Sequence, residues 1–235
     1  MNRAAPGALC LLLAALVAAA PAQAAPTVEQ MVVFRSGKAV IKEVAAKQAR
    51  VRVGRRRCAA ADATALAALV RSRIGKLELR DFGSCSSRPR DGAGLFVQAI
   101  RGERNRGQNG WVYKVGRRAA SAGAADPSGA FGRGRLRRGR RLTWFYCRMR
   151  AAGCQRTLEL AVVVAEPGLV TATVRGYDDQ GRAALIQGAT VESETGSAVT
   201  GAGGSAQLAL PPGRHTLIAR KDGLVRSFAE TVEVG

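Results

Sequence analysis

Three short arginine clusters are the residues of this 235-residue chain best suited to bind a ligand. They are Arg55, Arg56 and Arg57; Arg117 and Arg118; and Arg137, Arg138, Arg140 and Arg141. Guanidinium groups present planar forks of donors that match phosphate, sulfate and carboxylate groups. Because each cluster falls in a predicted turn or at a predicted strand end, we expect the three to merge into one basic, anion-binding surface.

The positive charge is concentrated in the first part of the chain. Residues 25–165 carry 30 Lys and Arg against 9 Asp and Glu, whereas residues 166–235 carry 6 against 8. This asymmetry predicts a basic domain over 25–165, a linker at 166–168 and a separate second domain over 169–235. It also predicts that the basic domain adheres to polyanions. Arginine outnumbers lysine 31 to 6, so a compositional bias is an alternative explanation of the clusters.

Both tryptophans and two of the three tyrosines of the chain fall in two short strand-like segments, 110–115 and 142–147. They are Trp111, Tyr113, Trp144 and Tyr146. Both segments are rich in aromatic and β-branched residues, which is typical of strands with a buried face. Their rings could form an aromatic pocket that stacks on a small ligand, although strand placement favours packing in the core.

The chain is poor in the side chains that form catalytic and metal sites. His215 is the single histidine, and its alternating, strand-like surroundings favour a structural role over general-base catalysis. Asp178 and Asp179 occupy a Tyr-Asp-Asp-Gln-Gly segment that is more typical of a turn than of paired functional carboxylates. The glycines at 132–134 lack the lysine and helix of a phosphate-binding loop, which favours a flexible connection there. We therefore predict no catalytic residue, no metal, no cofactor and no enzymatic activity.

The first residues have the composition of a secretory signal. One positive charge at Arg3 precedes an apolar run, and residues 21–24 supply the small side chains of a cleavage site. Residues 1–24 are therefore predicted to be removed on export. No later apolar segment is long enough to span a bilayer. We expect a secreted or extracytoplasmic protein whose partners are acidic wall polymers or surface glycans rather than specific nucleic acids.

Four of the five cysteines lie beyond the predicted signal: Cys58, Cys85, Cys147 and Cys154. An even number of cysteines in an oxidising compartment predicts two disulfides. Spacing alone allows three pairings, of which a bridge from Cys147 to Cys154 across a short turn is the simplest, leaving Cys58 to pair with Cys85. Zinc is the weaker interpretation because the chain contains no Cys-x-x-Cys pair.

Strands outnumber helices in the predicted secondary structure. Asp62 begins an alanine-rich segment with leucines at helical spacing, which predicts one helix over 62–71 with Asp62 as its cap. Strand-like segments surround this helix, so the first domain is predicted to be α+β, with a mostly antiparallel sheet and the helix across one face. From Leu169 onwards, short alternating segments between glycine turns predict an all-β sandwich.

Both predicted domains resemble known families. The segment Gly-Trp-Val-Tyr-Lys-Val at 110–115 and the segment 134–144 are similar to the transcobalamin C-terminal-like domain of bacterial exported proteins. That resemblance covers about 45–165 and implies a β-grasp-like sheet, with a small-ligand site of the corrinoid type as a further implication. Residues 169–234 resemble a carboxypeptidase regulatory-like, prealbumin-like domain, chiefly in the segments 188–191 and 210–217. This second resemblance implies a spacer or adhesive sandwich without catalytic residues.

Together these features favour an exported, non-enzymatic binding or adhesion protein whose basic domain contacts anionic polymers. The alternative hypothesis is a small-ligand carrier that uses the aromatic residues.

Overall fold

The computed structural model describes residues 24–88 and 94–235. The predicted signal therefore lies outside the described residues apart from Ala24. Within these ranges the chain is mostly β, with one helix and several sheets built mainly from antiparallel pairs. This confirms the β-rich character predicted from the sequence. In the same ranges, no helix combines the length and apolar character needed to cross a bilayer.

The elements follow one another in two groups along the chain. The first group is β1 (Thr27–Val33), β2 (Ala39–Ala45), β3 (Ala49–Val53), β4 (Arg56–Ala60), α1 (Ala65–Arg71), β5 (Leu77–Asp81), β6 (Leu95–Ile100), β7 (Glu103–Arg104), β8 (Gly110–Val115), β9 (Arg118–Ala119) and β10 (Arg141–Cys147). The second group is β11 (Thr157–Glu166), β12 (Leu169–Tyr177), β13 (Ala183–Leu185), β14 (Thr190–Glu192), β15 (Ser197–Val199), β16 (Ser205–Ala209), β17 (Gly213–Arg220) and β18 (Glu230–Val234).

A five-stranded sheet in the order β2-β1-β10-β8-β9 forms the centre of the first group. Strand β10 lies between β1, to which it is parallel, and β8, to which it is antiparallel. Tyr113 of β8 stands opposite Trp144 of β10, so the two aromatic segments are neighbouring strands. Because side chains alternate along a strand, Trp144 packs into the first core and Phe145 into a cluster on the opposite face.

The helix is shorter than predicted and is capped by a different residue. Thr64 has an extended backbone, and its hydroxyl accepts a hydrogen bond from the Ala67 N–H at 3.2 Å. The prediction that Asp62 caps the helix is wrong because Ala63, with a positive φ of 53°, separates Asp62 from the first turn. The Asp62 carboxylate instead forms an ion pair with Arg135. The apolar side of α1 packs into the first core.

Both predicted disulfides are present. Cys58 of β4 is bonded to Cys85, which follows β5, and so connects the β3–β4 hairpin to the sheet β5-β6-β7. Cys147 at the end of β10 is bonded to Cys154 across a short turn.

The second group forms two four-stranded sheets, one of β11, β12, β13 and β16 and the other in the order β15-β14-β17-β18. Both sheets contribute side chains to one apolar core, for example Val174 from β12 and Leu217 from β17. Residues 166–168, the predicted linker, lie at the turn from β11 to β12, and these two strands pair antiparallel along their length. The change in charge there coincides with the turn of a hairpin, where Gly168 has a positive φ of 75°.

The two groups share an apolar cluster on the second face of the central sheet. Met31 and Phe145 from that sheet pack with Val225 and Phe228, which lie between β17 and β18. The central sheet is therefore covered on both faces, by the first core on one side and by the second group on the other.

Candidate anion-binding site

A groove of about 660 Å³ lies between the β8–β9 turn and the loop that leads from β9 to β10. We call it the arginine groove. Its basic lining residues are Arg117, Arg118, Arg133, Arg135, Arg137, Arg140 and Arg141. Among the described residues that line it, Glu159 is the only acidic one. Two of the three predicted arginine clusters therefore meet at one site.

The loop between β9 and β10 is anchored to the core beneath it. Leu136 is buried, and its N–H donates to the Ala63 carbonyl at 2.9 Å. The Gly139 N–H donates to the Thr27 carbonyl, also at 2.9 Å. At Gly129, where φ is 106°, a Cβ atom would lie 2.1 Å from the Gly134 carbonyl oxygen, so the loop can fold back on itself only with glycine there. These contacts hold the arginines in a defined position.

Three groove arginines are engaged in ion pairs within the protein. Arg117 donates two hydrogen bonds to Glu159, at 2.8 and 2.7 Å, and this interaction raises the pKa of Arg117. Burial opposes ionisation of Glu159, but hydrogen bonds from Arg117 and Tyr177 hold the pKa of Glu159 below its ordinary value. Arg135 pairs with Asp62, and Arg141 pairs with both Glu29 and Glu230. These three arginines are part of the scaffold of the groove.

The other four groove arginines are Arg118, Arg133, Arg137 and Arg140. All four are exposed. Within residues 24–88 and 94–235, no carboxylate lies within ion-pair distance of any of them. Arg118 lies over the Phe131 ring at 5.3 Å, which orients its guanidinium while leaving its N–H donors accessible. The four therefore retain their capacity to bind an external anion.

The third predicted cluster, Arg55, Arg56 and Arg57, does not line the arginine groove. These residues belong to the β3–β4 hairpin, whose two strands pair only with each other within residues 24–88 and 94–235. Arg56 donates to Asp81 and to the Cys85 carbonyl at 3.2 and 2.7 Å. Arg138, the remaining member of the predicted 137–141 cluster, is exposed but does not line the groove.

Arg133 and Arg135 line the groove but are not among the residues predicted from the sequence, because a glycine-rich segment favours a flexible connection. The alternation of glycine and arginine over 132–135 is the signal that could have identified them.

A second concavity of about 430 Å³ lies beside β6 and β8. We call it the aromatic cleft. It is lined by Trp111, Tyr113 and Trp144, three of the four predicted pocket residues. Phe82 and Phe96 at this cleft are 63% and 45% exposed and contact each other edge to face.

Tyr146 does not line the aromatic cleft, which corrects the fourth predicted pocket residue. Its hydroxyl donates to the Arg104 carbonyl at 3.1 Å, and its ring packs edge to face on Trp111. Tyr146 lies on the same face of β10 as Trp144 but two residues further along, near the end of the strand. There the Arg35 guanidinium lies over the Tyr146 ring.

The aromatic residues that line the cleft differ in whether their polar atoms have hydrogen-bond partners. Trp111 Nε1 donates to the Glu103 carbonyl at 2.7 Å, and the Tyr113 hydroxyl donates to the Ala122 carbonyl at 2.9 Å. Burial, reinforced by the Asp126 charge, raises the pKa of Tyr113. Trp144 is 1% exposed, yet its Nε1 has no hydrogen-bond partner in the described part of the chain. A buried donor without a partner is costly, so an acceptor that reached it would bind favourably.

Lys114 is a buried charged residue whose burial was not predicted from the sequence. It is 0% exposed, and its Nζ donates to the carbonyls of Tyr177 and Asp178, both at 2.9 Å. Asp179 Oδ1 lies 3.6 Å from the same nitrogen. Burial lowers the pKa of Lys114, an effect that Asp179 opposes. Because Lys114 belongs to β8 and its partners lie at the end of β12 and just after it, this contact joins the two groups of strands.

His215 and Asp178, interpreted from the sequence as structural residues, form hydrogen bonds within the fold. His215 is buried, with Nε2 2.7 Å from the Pro211 carbonyl oxygen. Asp178 accepts backbone hydrogen bonds from Gln180 and Arg182, as a turn-forming residue does. Asp179 has a role beyond the turn, since it also accepts a hydrogen bond from the Cys154 N–H at 3.0 Å. Among the described residues, no group of three His, Cys, Asp or Glu side chains is arranged to hold a metal ion.

Comparison with known proteins found no protein-family model and no curated protein that matches this chain. The function is therefore inferred from the geometry of the site.

Proposed function

We propose that this protein is an exported, non-enzymatic binding or adhesion protein whose arginine groove holds an anionic polymer. The observation that carries the proposal is the presence of four exposed arginines in one groove, with no carboxylate paired to them among the described residues. Three further arginines, each ion-paired, surround them. An anchored array of guanidinium groups suits repeated phosphate, sulfate or carboxylate groups.

A polymer suits the groove better than a single small anion. The groove is open and its unpaired guanidinium groups are spread along a loop and a turn, so a chain with repeated charges would contact several at once. The full sequence has a net charge of +20, and removal of the predicted signal takes away only Arg3 from that charge. The remaining charge adds long-range attraction to any polyanion. Two disulfides are compatible with an extracytoplasmic location, where wall polymers and surface glycans are nearer than nucleic acid.

We also infer that the two groups of strands have different roles. The first group of strands would be the transcobalamin C-terminal-like, β-grasp-like domain that binds the polymer, and a mixed sheet with one helix on its face supports this assignment. The second group would be the carboxypeptidase regulatory-like sandwich, which would act as a spacer that presents the first domain to the polymer. The pairing of β11 with β12 supports placing β11 in the second domain.

The test replaces Arg118, Arg133, Arg137 and Arg140 by glutamine in the full chain and measures affinity for polyphosphate and dextran sulfate over a range of salt concentrations. Each lost phosphate contact reduces the slope of log K against log salt by about 0.7 to 0.9. We expect the slope to fall by about 3 and the affinity at low salt to fall by about tenfold or more.

A matched control removes the same number of charges from exposed positions outside the groove: Arg50, Arg52, Arg55 and Arg57. This variant should keep most of the affinity and slope. Equal losses in the two variants would show that binding depends on total charge rather than on the groove.

A small-ligand carrier is the second candidate function, favoured by the aromatic cleft and its lining residue Trp144, whose buried Nε1 has no hydrogen-bond partner in the described part of the chain. Both tryptophans of the chain line this cleft, so an occupant should change the intrinsic fluorescence. Cobalamin is the probe that the family resemblance suggests. Trp144→Phe keeps an aromatic ring but removes the donor, and we expect it to weaken binding by about threefold to tenfold. Tyr146→Phe, outside the cleft, is the control. Unchanged fluorescence at saturating cobalamin would exclude this ligand.

A further inference from the structure

A second basic concavity lies where the central sheet meets the second group of strands. This concavity, which we call the junction cleft, has a volume of about 320 Å³. It is bordered by the β1–β2 turn, the segment after β10 and the connection from β17 to β18. Its cationic lining residues are Arg35, Arg148, Arg220, Lys221 and Arg226. Asp222 is the only acidic residue among its described lining.

Two of these cations are already engaged. Arg220 forms an ion pair with Glu192, and the Lys221 ammonium donates to the Gln187 carbonyl. Both side chains are therefore directed to partners in the second group of strands.

Arg35, Arg148 and Arg226 differ, because in the described ranges no carboxylate lies within ion-pair distance of them. The Arg35 guanidinium lies over the Tyr146 ring at 5.1 Å. Arg148 Nη2 donates to the Arg35 carbonyl at 3.2 Å, and Arg226 Nε donates to the Ser227 carbonyl at 3.3 Å. Since a guanidinium has five N–H donors, each of the three retains donors for a ligand.

Arg226 is the least solvated of the three. It is only partly exposed. Burial and the charge of Arg220 lower the pKa of Arg226, and the charge of Glu192 opposes this effect only in part. A partly buried charge that is not fully compensated is unfavourable, and an anion in the junction cleft would offset that cost.

Hydrogen bonds fix the backbone around all three arginines. The Arg35 N–H donates to the Glu103 carboxylate at 3.0 Å, and the Arg148 N–H donates to Gln155 Oε1 at 2.9 Å. On the other side of the cleft, the Val225 and Ser227 N–H groups donate to the carbonyls of Arg156 and Ala219, at 2.9 and 3.0 Å. The cleft is therefore largely formed before a ligand arrives, which reduces the entropic cost of binding.

We propose that the junction cleft binds the phosphate or sulfate group of a small molecule. A single carboxylate can be matched by one guanidinium fork, whereas a tetrahedral dianion offers enough oxygens and charge to engage three. A volume of about 320 Å³ also leaves room for a small organic group such as a sugar. This site is separate from the arginine groove, with which it shares no lining residue.

A bound anion should also stabilise the folded chain. Arg35 and Arg148 belong to the first group of strands and Arg226 to the second, so one anion would contact both. A ligand that binds only the folded chain raises its stability with ligand concentration. The melting temperature should therefore rise with added ligand.

The experiment uses the full chain with inorganic phosphate, sulfate and glucose 1-phosphate, with calorimetric titration and thermal unfolding at matched ionic strength in NaCl. One molar equivalent of an oxyanion should bind and raise the melting temperature beyond the NaCl reference. Arg148→Gln with Arg226→Met should weaken binding by about tenfold or more. Preference for phosphate or for sulfate identifies the natural group.

Two further variants keep the test decisive. Arg148→Gln alone changes an exposed side chain and is expected to fold, so its weakened binding can be measured even if the double variant is unstable. Arg137→Gln with Arg140→Gln alters the arginine groove and should leave oxyanion binding in the junction cleft unchanged. Stabilisation equal to that of NaCl, or equal loss of binding in junction and groove variants, would overturn the proposal.

Discussion

Replacing Lys114 by methionine is expected to lower the free energy of unfolding by about 3 to 5 kcal/mol, the usual cost of removing one partner from a buried ion pair. The substitution preserves most of the apolar stem but leaves Asp179 without its cation and two backbone carbonyls without their donor. Unfolding by denaturant, followed by tryptophan fluorescence and circular dichroism, measures the loss.

Two controls separate this effect from a general effect of charge removal. Lys76→Met removes an exposed lysine, whose side chain is 80% accessible, and should change stability by less than about 0.5 kcal/mol. Combining Lys114→Met with Asp179→Asn removes both charges, so the double variant should lose less stability than the sum of the single variants. A Lys114→Met protein as stable as the Lys76 variant would contradict the assignment.

The pH dependence of stability gives an independent measurement. The pKa of Lys114 is lowered in the folded state, chiefly by burial. Between that lowered value and the ordinary lysine value of about 10.4, the unfolded chain binds more protons than the folded one. This difference contributes a rise in stability with pH over that window. Measurements below about pH 9 keep the ionisation of tyrosine in the unfolded chain small, since its ordinary pKa is about 10. The Lys114→Met variant should lack the contribution.

Lys114 also illustrates why part of the structure could not be predicted from the sequence. In the segment 110–115 the alternation of Trp111, Tyr113 and Val115 identifies one buried face correctly, and the same alternation assigns the polar Lys114 to a solvent-facing side. The second group of strands covers that side. The covering depends on residues more than 40 positions away, so local alternation contains no information about it.

The arginine clusters show the same limit. Arg117 and Arg141 approach each other because β8 pairs with β10, with Val115 opposite Leu142, and this pairing follows from the aromatic segments. The return of the 129–136 loop over Ala63 depends on glycine geometry and a single buried leucine, which periodicity cannot reveal. The disulfides were predictable because only a few pairings of four cysteines exist, and the local one was the simplest.

The arginine groove and the junction cleft can be distinguished by the form of the anion. The groove is open and contains Arg118 and Arg140 in different segments, an arrangement suited to a chain of repeated charges. The junction cleft is smaller and collects three arginines around one volume, which suits a single group. If both proposals hold, a small phosphate ester should stabilise the protein without displacing a bound polyanion.

Loss of the disulfide between Cys58 and Cys85 should lower the free energy of unfolding by about 3.5 kcal/mol, as chain entropy predicts for a loop of this length. The two residues are 27 positions apart, and both are buried in the first core. The bond restrains the β3–β4 hairpin, whose strands pair with no other strand in the described part of the chain. Denaturant unfolding of Cys58→Ala with Cys85→Ala measures the loss.

The second disulfide provides the comparison. Cys147 and Cys154 are separated by 7 positions, so their replacement by alanine should cost about 2.5 kcal/mol on the same entropic basis. The order of the two losses tests whether loop length governs them. Under conditions where the variants remain folded, polyanion affinity should be unchanged in the Cys58 and Cys85 variant, because neither cysteine lines the arginine groove. Free thiols at Cys58 and Cys85 in the purified oxidised protein, or a variant as stable as the parent, would contradict this structural role.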